Sequence, residues 1–95
     1  MLIDLPYKEG DTVSLKTSAG EEIIARLEKE EGGFFHLKKP MALVAGQQGM
    51  GLAPYMFSVN QDAIFKIRDS VVACVLKTEK ELASLYTQQT TGIAV

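Results

Sequence analysis

The sequence predicts a mainly β domain followed by one short C-terminal helix, and three observations carry that prediction. Apolar and polar residues alternate through the first third of the chain, the period of half-buried strands. Glycines fall between the alternating runs, at Gly20 and at Gly32-Gly33, where hairpin turns need positive φ. Helical spacing occurs once, close to the C-terminus.

Asp11 to Ser18 reads as the first strand, with Val13, Leu15 and Thr17 on one face. Ser18-Ala19-Gly20 turns the chain. Glu22 to Glu30 reads as the second strand, with Ile23, Ala25 and Leu27 inward and Ile24, Arg26 and Glu28 outward. Phe34 to Val44 is the third, with Phe35, Leu37, Met41 and Leu43 toward the core. Pro40 has no N–H for a ladder, so it marks a bulge, a bend or an unpaired edge. Gly46 to Pro54 reads as a loop, because three glycines oppose regular structure. The fourth strand is expected within Tyr55 to Arg68, bent or bulged at Asn60-Gln61-Asp62. Val71 to Lys77 is the fifth, apolar enough to be buried on both faces. Thr78 and Glu81 have capping-box spacing, and Leu82, Leu85 and Tyr86 share a helical face, so a helix is expected from Glu79 to about Gln89. Gln88 to Gly92 reads as a loose end.

Composition bounds the function. The 95 residues make a single domain, residues 1–95, without room for a second core. A net charge of −2 argues against gripping DNA by bulk charge. One cysteine, Cys74, excludes an intramolecular disulfide and fits a reducing compartment; within so apolar a strand it reads as a buried, inert thiol. No segment reaches the roughly 18 apolar residues of a membrane span. Met1-Leu2-Ile3-Asp4 has no basic region and does not read as a signal peptide.

Catalysis requires convergent acids, bases or nucleophiles. The single histidine, His36, reads as a solvated strand residue beside Lys38, without companion ligands for a metal. Gly46-Gln47-Gln48-Gly49-Met50-Gly51 matches neither phosphate fingerprint. The chain therefore reads as non-enzymatic, with no cofactor and no metal. Two other features stand out. Pro40 to Gln61 spans 22 residues without a charge and holds three of the four methionines. It either folds back over the core or forms a protein contact. Phe34, His36 and Lys38 share one parity, as do Ile64, Lys66 and Arg68. Antiparallel pairing of their strands would gather positive charge beside an aromatic ring, a surface suited to single-stranded nucleic acid.

With five short strands in meander order, the chain resembles the Sm-like family of Sm, LSm and Hfq proteins. Leu15-x-Thr17-x-x-Gly20-x-x-Ile23-x-Ala25-x-Leu27 follows that family's first motif, with Thr17 and Ala25 as small deviations. Glu31-Gly32-Gly33-Phe34-Phe35 falls on its RNA-binding turn but lacks the asparagine. Ile67-Arg68-Asp69-Ser70 falls on its second motif and agrees at the first two residues. The resemblance covers about Gly10 to Lys77; as a whole the chain looks most like small Sm-like proteins of contractile-tailed cyanophages.

The resemblance implies a strongly bent five-stranded antiparallel sheet forming a small open barrel. It also implies a homomeric ring of roughly five to seven copies with a head-to-tail interface. The apolar strand Val71, Val72, Ala73 and Val75 would supply that interface, since its edge carries no guarding charge. RNA contacts would come from Gly33, Phe34, Arg68, Asp69 and Ser70, with His36, Lys38 and Lys66 as an outer basic patch. The implied setting is the cytoplasm of an infected bacterial cell, or the virion. Two functions are carried forward. One is a ring binding single-stranded RNA as a riboregulatory or chaperone-type factor. The other is a structural or assembly ring, or an adaptor, that uses Met41 to Phe57 as its contact. Neither involves a membrane.

Overall fold

The early alternations become three consecutive antiparallel strands. The computed structural model describes residues 6–91; the expected character of Met1 to Asp4 lies outside them. The strands are β1 (Thr12–Thr17), β2 (Glu22–Glu31), β3 (Phe34–Gly46), β4 (Gly49–Pro54), β5 (Ile64–Arg68) and β6 (Val72–Lys77). A 3-10 turn, Asp69–Val71, joins β5 to β6, and helix α1 (Lys80–Thr90) ends the described chain. All strands belong to one antiparallel sheet in the order β4-β3-β2-β1-β6, with β5 also paired to β3. The sheet is open. β6 pairs only with β1 and β5 only with β3, so each keeps an unpaired edge among the described residues.

Val13 and Leu15 of β1, Ala25 and Leu27 of β2, Phe35 and Leu37 of β3, and Phe65 of β5 form the contiguous core. Each large side chain so buried contributes roughly 1.5–3 kcal/mol. Ile24, expected outside, is fully buried as well. The helix supplies a second cover: the Tyr86 hydroxyl accepts from the Arg26 amide at 3.1 Å and donates to the Lys38 and Lys39 carbonyls at 2.9 Å each.

The structure corrects the sequence reading in five further places. First, Gly46 to Pro54 is not a loop. β3 runs on to Gly46, turns at Gln47-Gln48, and pairs with β4 through Gly46↔Gly49, Val44↔Gly51 and Met41↔Pro54. The glycines shape the hairpin, with Gly49 at φ 112°. The sheet therefore has six strands, not five.

Second, the expected strand Tyr55 to Arg68 is extended only at β5. The inner half of β3 holds β5, from Phe34↔Arg68 to Lys38↔Ile64, while its outer half holds β4. Residues 55–63 leave the sheet opposite Lys39 and Pro40. A bulge does form at that proline, where Lys39 takes φ 49° and the β2–β3 register shifts.

Third, β6 is not buried on both faces. Val72 and Val75 pack against the core, but Ala73, Cys74 and Leu76 are exposed. Cys74 is thus an exposed thiol, not a buried one. An apolar run reports an appetite for burial, and nothing in this single chain covers the outer side of β6.

Fourth, Thr78 is not the helix cap. Its amide still donates to Thr12 O at 2.9 Å and its hydroxyl meets Ser14 Oγ at 2.8 Å, so it continues the sheet. Glu79 caps instead, its carboxylate accepting from the Glu81 and Leu82 amides. The helix also runs on through Gln88 and Gln89 to Thr90, part of the segment expected to be loose; Gly92 lies outside the described residues.

Fifth, His36 is buried, not solvated. It lies between Lys29 of β2 and Lys66 of β5, a position that parity alone placed on the open face. β3 keeps its alternation here, pairing with β5 without a break from Phe34 to Lys38, so parity alone does not settle which side chains of that face are covered.

Candidate nucleic-acid interface

Two turns meet at one end of the sheet. Gly32 and Gly33 turn β2 into β3 with φ of 65° and 82°. The Asp69 amide, opening the 3-10 turn, donates to Gly33 O at 2.9 Å and ties the two turns together. A Cβ added at Gly33 would have room, the nearest atom being Asp69 Oδ1 at 4.0 Å. The positive φ alone therefore demands glycine. Gly33→Ala is expected to cost about 1–2 kcal/mol of stability, read as a shift in the urea midpoint.

Antiparallel pairing of β3 with β5 gathers the aromatic and basic residues. Phe34 lies opposite Arg68, and the guanidinium carbon sits 5.0 Å from the ring centroid. Such a stack is worth about 0.5–1 kcal/mol at an exposed site and holds the planar cation in place. His36 lies opposite Lys66. Lys38 lies opposite Ile64 and is neutralised by Glu28 at 3.0 Å. Arg68 and Lys66 take no part in the ion pairs seen among the described residues. Ser70 is exposed beside them in the 3-10 turn.

The other side of the turn is acidic. A cleft of about 440 Å³ is lined by Glu9, Glu30, Glu31 and Asp69 beside Tyr7 and Gly33, with Lys8, which pairs with Asp11, its one lysine. The Tyr7 hydroxyl donates to Glu30 Oε1 at 3.0 Å; desolvation, then this carboxylate, pushes the phenol above its ordinary value. A hydrogen bond from Lys29, with its charge, holds the Glu31 carboxyl below the usual range. Carboxylates dominate this cleft, so of the two sides of the turn the one suited to phosphate is the Phe34–Arg68 pair with Lys66.

The five residues expected to touch RNA thus lie on or beside one pair of turns. The outer patch is less basic than expected, since His36 is buried and Lys38 is paired. The sequence reading missed Tyr7 as a partner of Glu30, a contact that no local pattern signals. Among the described residues no cluster of three or more ligand side chains could hold a metal ion, and no helix is long and apolar enough to cross a membrane. In comparisons with known proteins, the chain matches no family model and no curated protein.

Proposed function

We propose that the chain assembles into a homomeric Sm-like ring, β5 of one copy adding to β6 of the next, and that the ring binds single-stranded RNA without catalysing a reaction. The observation that carries this reading is the pair of unpaired edges at opposite ends of one open sheet. Head-to-tail addition covers both edges and, repeated by rotation, closes. It also covers exposed Leu76 and Val71. Of the four residues expected at the interface, Val72 and Val75 instead brace β6 from the core, leaving Val71 and Ala73 on the outside with Cys74 and Leu76.

Within such a ring the Phe34–Arg68 pair recurs once per copy, so a few cations become a girdle despite the negative total. Sedimentation should give a mass several times that of one chain; a single-chain mass at micromolar concentration overturns the ring. Fluorescence anisotropy with short A-rich and U-rich RNA should show affinity that falls with salt. Arg68→Ala should weaken binding and flatten the log–log salt slope by roughly 0.7 for each phosphate that the ring then leaves unneutralised. Asp69→Gly should tighten binding by removing a repelling charge.

A second reading, the structural or assembly ring, draws support from Val44 and Met50, which the β3–β4 hairpin presents exposed to solvent. An intact ring with no RNA affinity at low salt favours it.

A further inference from the structure

Residues 55–63 form a long loop held to one shape. Tyr55 N donates to Pro40 O at 3.0 Å, and Lys39 Nζ meets Asp62 Oδ1 at 2.9 Å, fixing both ends to the β3 bulge. Inside the loop, Gln61 Nε2 donates to Met56 O at 2.7 Å and Val59 O at 3.2 Å, while Asn60 Oδ1 accepts from Asp62 N at 2.8 Å. This frame holds three apolar side chains out in water: Phe57 is 78% exposed, Met56 42% and Val59 38%. A loop already ordered by its own hydrogen bonds loses little entropy on docking, and exposed aromatic residues on such a loop suit an interface anchor.

A matching concavity lies at the far end of the sheet. An open groove of about 720 Å³ runs between the end of β6 and α1, lined by Lys77, Thr78, Lys80, Ala83, Ser84 and Thr87 among others. Methyl and methylene groups offer apolar contact there. Lys77 and Lys80 take no part in the ion pairs seen among the described residues.

Topology connects the two. Every strand pair in this sheet is antiparallel. If β5 adds to a neighbour's β6 in the same sense, Ile64 at the start of β5 falls near Lys77 at the end of β6. The residues before Ile64 then continue past Lys77, over Thr78 and along α1. We infer that the 55–63 loop of one copy seats Phe57 in the β6–α1 groove of the next. The occupant is a second copy of this chain, carried there by the same addition of β5 to β6 at the two unpaired edges. The inference rests on the ring reading and adds a second, side-chain interface to the backbone one.

The test uses full-length protein with Cys74→Ser, so that no native thiol interferes. Phe57→Cys and Ser84→Cys are combined, and mild oxidation should give a reducible ladder of linked chains on a denaturing gel. Each single variant should give no ladder beyond a dimer. Separately, Phe57→Ser should raise the concentration at which the assembly dissociates by roughly 30-fold, the loss expected of a buried aromatic anchor. An assembly of wild-type size with no ladder, and with Phe57→Ser dissociating like wild type, overturns the docking while leaving the ring standing. A wild-type chain that sediments as a monomer overturns the ring reading, and the docking with it.

Discussion

Ala73→Pro is expected to turn an assembled protein into separate folded chains. Ala73 is the extra residue of a bulge: β6 steps from Cys74↔Lys16 to Val72↔Thr17, so Ala73 has no partner across β1. The extra residue of a bulge stands outside the regular ladder, so a proline is tolerated there better than at a paired position. The preceding Val72, at φ −100° and ψ 114°, already has the extended conformation that a following proline requires. A proline there removes one edge donor and puts a ring where a neighbouring strand must approach. The single chain should keep its β-rich circular dichroism, with thermal stability within about 1 kcal/mol of the unassembled parent. Sedimentation at low micromolar concentration should show one chain's mass. An assembly of unchanged size would mean that β6 is not its edge, and the strand-addition reading would fall.

The largest expected loss of stability comes from Tyr86. Its ring is 1% exposed, and its hydroxyl bridges backbone groups of β2 and β3 beside the bulge. Tyr86→Ala removes the ring and the bridge together, at about 3–5 kcal/mol. In a domain of this size that lowers Tm by at least about 12 °C. Tyr86→Phe keeps the ring and removes its hydrogen bonds to the Arg26 amide and the two carbonyls, at about 1–3 kcal/mol. If Tyr86→Phe behaves like wild type, the bridge carries no weight and the helix is held by packing alone. Burial pushes this phenol above its ordinary value. The folded protein therefore holds its proton where the unfolded chain, near pH 10, loses it. Stability from this group is fully present below about pH 10 and declines as pH rises beyond it. Tyr86→Phe should lack that part of the alkaline decline.

Much of the candidate site was legible because its parts are local. Gly32-Gly33 announces a turn needing positive φ, and the shared parity of Phe34 and Arg68 with their neighbours anticipates the face on which they meet. What was not legible depends on residues distant in the chain. His36 and Lys38 share a parity, yet His36, flanked by Lys29 and Lys66 on the neighbouring strands, is buried while Lys38 is exposed. The acidic cleft joins Tyr7 and Glu9 to Asp69 across the whole length of the domain, and no spacing rule connects them.

The sequence by itself determined the β1–β2–β3 meander, the turn positions and the C-terminal helix. Alternation, glycine φ and helical spacing are properties of neighbouring residues, and here they agree with one another. Only the tertiary structure decided the fate of residues 40–63. A neutral, glycine-rich stretch carries almost no period, so its pairing follows from which β3 carbonyls and amides remain unmatched. The same holds for β6, whose apolar run announced burial while the sheet left its outer edge bare. Burial is conferred by whatever lies across from a residue, and that partner is chosen by the fold, or by a second copy, rather than by the residue itself.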